Sequence, residues 1–321
     1  MVYVEIAGGL VLLVIGAELL VRGSVTLARR IGVSPLLIGL TLVGFGTSTP
    51  ELVASVTGAL RGSPGIAVGN VVGSNICNVL LILGVSALIY PLQTTRRAFL
   101  RDGPALLLST VLLVAVAWYG ELSRFLGGAF IVLLAAYLVH TYRTERATPD
   151  EGAALHAAEA EQIPSMTMSG PLASAMAVGG IGVLIVGAGL LVDGAIVVAR
   201  EANISETIIG LTVVAIGTSL PELATSAVAA MRRQADVAIG NVVGSNIYNV
   251  LGILGVTAMV QPIPVPAEIM AVDIWVMLAA AVVVVAFALS GWRINRWEGG
   301  LLLTGYAVYI GYLASAALGG G

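Results

Sequence analysis

The chain has 321 residues, of which 58% are hydrophobic and 10% charged, with a mean hydropathy of +1.00. Those values exclude a water-soluble fold and define an integral membrane protein. The net charge of −3 says little as a sum, and the single cysteine, Cys77, excludes an intrachain disulfide.

A bilayer crossing takes about 20 apolar residues. On that rule the chain predicts ten spans, at 3–21, 35–60, 66–90, 104–120, 125–142, 171–192, 207–231, 237–260, 269–290 and 299–317. No basic n-region precedes the first apolar run, and that run is long enough to span, so no cleavable leader is expected. The glycines and prolines sit inside the apolar runs, where membrane helices tolerate them. The polar stretch 143–170 reads as a solvated linker, with a short helix expected at 151–162. Its His156 and the nearby His140 are not placed to reach the membrane midplane.

Residues 39–84 and 210–255 align without a gap at an offset of 171, with 28 of 46 positions identical. The chain therefore divides into a first five-helix repeat at 1–142, the linker, and a second repeat at 171–321. Five spans per half is an odd number, so the second half enters from the opposite side. The expected fold is all-α, with ten transmembrane helices in two inverted-topology five-helix repeats. All 15 basic residues are arginines. With the N-terminus outside, twelve of them (22, 29, 30, 96, 97, 101, 143, 146, 232, 233, 293 and 296) fall inside and three (61, 124 and 200) outside. That bias follows the positive-inside rule and puts both termini outside.

Each repeat carries a glutamate beside a proline within a span: Gly46-Thr47-Ser48-Thr49-Pro50-Glu51 and Gly217-Thr218-Ser219-Leu220-Pro221-Glu222. Proline lacks an N–H and clashes with the carbonyl four residues earlier, so the Gly46 carbonyl is expected to lose its helical partner. Thr47, Ser48 and Glu51 share one helix face, and Gly44 extends it without bulk. Ala215, Thr218, Ser219 and Glu222 repeat the arrangement. Carboxylate, hydroxyl and carbonyl oxygens are hard ligands, suited to Ca²⁺ and Na⁺.

The third span adds Asn70, Ser74 and Asn78 along one stripe with Asn75 beside it, and the eighth adds Asn241, Ser245, Asn246 and Asn249. At 1.5 Å per residue, Asn78 lies ~18 Å into its span, near the middle of the core. Gly69 and Gly73 read equally as packing or as site residues. Asn75 and Asn246 read as interhelical hydrogen-bond partners or as ligands. Glu18 and Asp193 lie at span ends and break the internal symmetry, so they read as interfacial. Cys77 aligns with Tyr248, which leaves no repeated thiol chemistry.

These motifs, with Gly73-Ser74-Asn75-Ile76-Cys77-Asn78 and Gly244-Ser245-Asn246-Ile247-Tyr248-Asn249, resemble the two α-repeats of the Ca²⁺:cation antiporter superfamily, and specifically the sodium/calcium exchanger family. The resemblance implies that Glu51 and Glu222 bind Ca²⁺ with backbone oxygens of Thr47 and Thr218. It implies Na⁺ sites around Thr47, Ser74 and Glu51 and around Thr218, Ser245 and Glu222, joined by backbone oxygens of Gly44 and Ala215. It also implies that the first and sixth spans, with their matching LLVRG (19–23) and LLVDG (190–194) segments, slide across the core. K⁺-dependent members carry Asp at one GSNxxN terminal position. Asn78 and Asn249 are both amides here, which resembles the K⁺-independent pattern. The expectation is an electrogenic Na⁺/Ca²⁺ antiporter of the cell membrane working by alternating access, with ions bound between the second, third, seventh and eighth spans. Ca²⁺ and Na⁺ are its substrates, and the lipid bilayer is its setting. No cofactor and no nucleic-acid partner is expected, and a monomer is compatible with the sequence. An H⁺/Ca²⁺ antiporter is the nearest alternative and a cation channel a more distant one. An enzyme is disfavoured, because no GxSxG element is present and no histidine is membrane-embedded.

Overall fold

A computed structural model describes residues 2–32, 45–94, 96–147 and 168–319. The predicted linker helix at 151–162, His156 and Gly44 lie outside the described residues. So does the first part of the predicted second span. The helices are α1 (Val2–Arg30), α2 (Thr49–Leu60), α3 (Pro64–Ile89), α4 (Arg96–Tyr119), α5 (Arg124–Ala147) and α6 (Gly170–Ala202). Then come α7, formed by Glu206–Thr218 and Leu220–Met231, and α8 (Val237–Val260), α9 (Ile269–Leu289) and α10 (Arg296–Gly319). Among the described residues, eight of these are long and apolar enough to cross a membrane, and the two parts of α7, bent by 47°, make a ninth if they count as one span. The protein is a multi-pass, helical membrane protein.

Local chemistry sets the helix ends. Asn203, with φ +57°, closes α6 in the left-handed conformation that asparagine tolerates. Ser205 starts α7 by accepting from the Ile208 N–H at 3.3 Å. At the start of α10, Asn295 Oδ1 accepts from the Glu298 N–H at 3.1 Å while Glu298 Oε2 accepts from the Asn295 N–H at 2.7 Å. The two residues satisfy each other's free donors as a capping box.

Four two-residue strands join the helix ends. β1 (Leu92–Gln93) pairs antiparallel with β4 (Arg293–Ile294), and β2 (Glu121–Leu122) with β3 (Ile263–Pro264). Paired backbone must lie on one face of a membrane, so an even number of crossings separates each pair. Between β2 and β3 run α5, α6, α7 and α8, a count that is even only if bent α7 crosses. Arg61 Nη2 lies 3.0 Å from Asp193 Oδ2, which ties the end of α2 to the last third of α6.

In α3 and α8, 78% of the apolar stretch is buried, against 22–39% in α1, α4, α5, α6, α9 and α10. These two form the centre of the molecule. Gly69 and Gly73 of α3 lie against α7, where a Cβ would stand 2.8 Å from the Thr207 carbonyl oxygen and 2.6 Å from that of Leu211. Their role is packing: only hydrogen fits at this approach.

Helices α1 and α6 pack separately against each other along a glycine seam. A Cβ at Gly9 would lie 2.7 Å from the Gly187 oxygen, one at Gly16 3.0 Å from the Gly180 oxygen, and one at Gly23 2.6 Å from the Ala173 oxygen. Partner numbers fall as α1 numbers rise, so the two helices are antiparallel.

Candidate functional site

The helix break differs from the sequence expectation. Residues 45–48 form a turn and α2 starts at Thr49, with Ser48 as its N-cap and Pro50 in its first turn. Proline costs nothing there, because first-turn N–H groups have no helical acceptor. The Gly46 carbonyl is not left without a partner, since the Thr49 N–H closes onto it at 3.3 Å. In α7 the second half starts at Leu220, with Ser219 as N-cap. Both glutamates therefore sit in the first turn of a half-helix, where the N-terminal dipole favours negative charge.

Glu51 and Glu222 are fully buried. The serine of each motif reaches the glutamate of the other. Ser48 Oγ donates to Glu222 Oε1 at 2.7 Å, and Ser219 Oγ donates to Glu51 Oε1 at 3.1 Å. The sequence places Ser48 and Glu51 on one helix face but gives no sign of this exchange.

The asparagines behind them repeat the crosswise pattern. Asn75 Nδ2 donates to the Asn246 carbonyl at 3.3 Å, and Asn246 Nδ2 to the Asn75 carbonyl at 3.2 Å. Asn78 Nδ2 donates to Asn246 Oδ1 at 2.9 Å, and Asn249 Nδ2 to Asn75 Oδ1 at 3.0 Å. Asn75 and Asn246 are thus interhelical hydrogen-bond partners. They fix the amide planes of Asn78 and Asn249, whose Oδ1 atoms have no hydrogen-bond partner among the described residues. Both terminal asparagines lie at π-helical turns, Cys77–Ile82 and Asn249–Leu254. Such turns recur at functional sites, and no sequence signal marks these two.

Asn70 and Asn241 tie the breaks to α3 and α8. Asn70 Nδ2 donates to the Glu51 carbonyl at 3.1 Å and to Ser55 Oγ at 2.9 Å, and Asn241 Nδ2 to the Glu222 carbonyl at 3.4 Å and to Ser226 Oγ at 2.9 Å. Sequence reasoning missed Ser55 and Ser226, although their identity across the repeat marks them. Thr218 Oγ1 donates toward Asn70 Oδ1 at 3.1 Å and the Val214 carbonyl at 3.0 Å. Ser74 Oγ points to the Ala215 carbonyl of the other repeat at 3.5 Å, whereas the expected grouping put Ser74 with Thr47 and Glu51 and Thr218 with Ser245 and Glu222. Phe45 stacks on Tyr248 with ring centres 4.1 Å apart, which holds the turn before Thr47 against α8.

Among the described residues, six buried oxygens of the expected set have no hydrogen-bond partner: Thr47 Oγ1, Glu51 Oε2, Asn78 Oδ1, Glu222 Oε2, Ser245 Oγ and Asn249 Oδ1. Buried polar atoms are normally paired. Among the described residues no group of three or more His, Cys, Asp or Glu side chains comes together as a metal cluster. The centre is instead two carboxylates among neutral oxygens, a donor set that could hold hard cations.

Other expected positions fall away from this centre. His140 is exposed on α5. Glu18 pairs with Arg22 at the surface, and Asp193 with Arg61; both were expected at span ends, but α1 runs on to Arg30 and α6 to Ala202, so they lie inside their helices. Cys77 is buried and free.

Fold and centre together define a class, the polytopic helical membrane proteins with a buried, duplicated carboxylate and oxygen cluster. A family model described as sodium/calcium exchanger protein matches residues 1–143 and 172–314. The chain is 36% identical over 344 residues to sodium/calcium exchanger MaX1 of Methanosarcina acetivorans, covering 94% of this chain and 95% of that one. It is 37% identical over 302 residues to inner membrane protein YrbG of Escherichia coli, covering 92% and 91%. Among solved structures, the sodium-calcium exchanger NCX_Mj soaked with 2.5 mM Na⁺ and 0.1 mM Ca²⁺ matches with a TM-score of 0.64 and 32% identity, over 97% of each chain. The chain belongs to the sodium/calcium exchanger family and is a transporter, not an enzyme.

Proposed function

We propose that this protein is an electrogenic Na⁺/Ca²⁺ antiporter of the cell membrane, working by alternating access. Ca²⁺ and Na⁺ are bound as substrates at the midplane between α2, α3, α7 and α8. Glu51 and Glu222 supply the charge. Thr47, Thr218, Ser48, Ser219, Ser74, Ser245, Asn78 and Asn249, with the backbone at Gly44 and Ala215, supply or orient the neutral oxygens. The observation that carries this reading is the set of buried oxygens without a hydrogen-bond partner among the described residues, which collects both carboxylates and both terminal amides.

A divalent ion leaving water needs about two compensating charges, and the two glutamates provide them when ionised. Na⁺ would draw on the same hydroxyl and amide oxygens. Ions that share ligands compete, and competition couples their movement. The names of the relatives, sodium/calcium exchanger MaX1 and sodium-calcium exchanger NCX_Mj, favour Na⁺ as the counter-ion.

The architecture in this reading is ten helices in two inverted five-helix repeats, with both termini outside. The crosswise bonds support a two-fold relation between the halves, because each contact between residues i and j′ is matched by one between j and i′. The antiparallel run of α1 on its repeat mate α6 supports an axis lying in the membrane plane. The α1–α6 pair, packed through glycines, is the element that slides over the centre.

The test is ⁴⁵Ca²⁺ uptake into proteoliposomes preloaded with Na⁺, K⁺ or a proton gradient. Uptake driven by internal Na⁺ alone is the expected result. Uptake driven by a proton gradient without Na⁺ would replace this reading with H⁺/Ca²⁺ exchange. Flux without any counter-ion would mean a channel.

A further inference from the structure

The two-fold relation holds inside the α1–α6 pair and inside the centre, but not between them. In the pair, the approach of Gly9 to the Gly187 oxygen is matched, at the offset of 171, by that of Gly180 to the Gly16 oxygen. In the centre, the bond from Ser48 to Glu222 is matched by the bond from Ser219 to Glu51.

Where the pair meets the centre, matched positions differ. α6 packs along α2, and Ala54 is buried in one apolar cluster with Ala188, Leu191 and Ala195 of α6. The equivalent of Ala54 in α7 is Thr225, which is exposed. Val53 and Thr57 of α2 are half-buried, whereas their equivalents Ala224 and Val228 are exposed. The other end of the contact agrees. Leu10 of α1 presses on Gly217, where a Cβ would stand 2.5 Å from Leu10 Cδ2. Ile181, the equivalent of Leu10 in α6, is 46% exposed. The pair is therefore shifted off the centre's own axis, covering α2 and leaving the second half of α7 uncovered.

A shift the opposite way would place α1 over α7 and free α2, with the same kind of packing. Charge separates the two arrangements. Arg61 at the end of α2 is 3.0 Å from Asp193 of α6. The equivalents of these residues are Arg232, exposed at the end of α7, and Arg22 of α1. Arg22 is bound instead by Glu18 of its own helix. In the opposite arrangement two guanidiniums would meet where this one has an ion pair.

We propose that Arg61 and Asp193 are positioning residues of the transport cycle. Their ion pair is a one-sided latch that holds the α1–α6 pair over α2 and biases the empty transporter toward the arrangement described here. The proposal rests on the reading of α1 and α6 as the sliding element. The two side chains are 52% and 53% exposed. An ion pair at that exposure shifts a two-state equilibrium by only about two- to fivefold. Such a force biases the cycle without arresting it at one end. Ions arriving on the uncovered side meet a centre already accessible, and ions arriving on the covered side are disadvantaged by the equilibrium.

Thiol labelling of the ion-free protein in detergent tests the latch without transport. In a Cys77→Ala background, Thr57→Cys reports the uncovering of α2 and Val228→Cys that of α7, each by its rate with a small methanethiosulfonate reagent. The measure is the ratio of the Val228→Cys rate to the Thr57→Cys rate, compared across variants. Asp193→Asn should lower it about two- to fivefold. The exchanged pair, Arg61→Asp with Asp193→Arg, should restore it. Arg22→Asp, which offers Arg232 a partner in the opposite arrangement, should lower it too. A ratio unmoved by Asp193→Asn, no recovery in the exchanged pair, or an unmoved or raised ratio with Arg22→Asp would each overturn the proposal. If Ca²⁺ uptake does not follow Na⁺, the ion assignment falls and these rates are untouched. If Na⁺-driven uptake holds and the ratio is the same in every variant, the latch falls alone.

Discussion

Ser48 is hydrogen-bonded to Glu222, 174 positions away, and not to Glu51, three positions away on its own helix. Ser219 makes the matching bond to Glu51. Each carboxylate is therefore held by the repeat to which it does not belong. Ser48→Ala should accordingly act on the second half's glutamate, and Ser219→Ala on the first's. Each removes a hydrogen bond to a charged group, worth about 1.5–3 kcal/mol, so Ca²⁺ affinity should fall roughly ten- to a hundredfold. Equilibrium ⁴⁵Ca²⁺ binding checks this, and affinity unchanged in both variants would show that the serines do not orient the carboxylates.

Glu51→Gln or Glu222→Gln should each abolish Ca²⁺ exchange while leaving a monodisperse protein. Either change leaves one carboxylate facing a divalent ion. Near-normal exchange in proteoliposomes from either variant would remove the glutamates from the site.

Sidedness follows from the arginine distribution and can be read by labelling. In a Cys77→Ala background, Arg61→Cys and Ala267→Cys should react with an impermeant thiol reagent from outside, and Gln234→Cys from inside only. Labelling of Arg61→Cys and Gln234→Cys from the same face would refute the inverted arrangement.

The glycine seam should tolerate no side chain. Gly16→Val would press a branched side chain into backbone already at 2.8 to 3.0 Å from a Cβ, so a loss of about 1–3 kcal/mol and of transport is expected. Gly8→Ala meets nothing within 4 Å and should be silent. Thermal unfolding in detergent together with uptake separates the two. Equal effects would mean that the seam does not hold α1 and α6 together as the sliding pair.

Exchange should carry net charge. With two titratable groups at the centre, one Ca²⁺ neutralises the site and more than two Na⁺ make it positive. A membrane potential acts on the difference at about 2.3 kcal/mol per charge per 100 mV. Valinomycin-imposed potentials should bias the direction of Na⁺-driven Ca²⁺ flux. An unchanged flux would mean electroneutral exchange.

Much of this was legible because the sequence repeats itself. Composition revealed the membrane, apolar length revealed the spans to within a few residues at most ends, and the duplicated GTSxPE and GSNxxN segments identified the buried centre. The seventh span was expected as one crossing with a break beside Glu222, and it bends at Ser219, two residues before Pro221. The crosswise partners were not legible. Helical periodicity relates residues three and four apart, whereas the Ser48–Glu222 and Asn78–Asn246 bonds depend on how two distant segments pack. The free Gly46 carbonyl was expected from a proline inside a helix, but the chain turns first and gives Pro50 a helix start. The π turns at Asn78 and Asn249 also escaped, because one extra residue per turn leaves no mark in an apolar run.

The exchanged serines also bear on ancestry. A chain of half this length would own a carboxylate without its hydroxyl donor, terminal amides without the asparagines that orient them, and a glycine-lined helix without its antiparallel mate. Two copies laid head to tail would supply every missing piece. A duplicated gene descended from such a precursor would inherit a centre that already required both orientations. Fusion would then have released each copy from sameness, as the Arg22 and Asp193 positions illustrate.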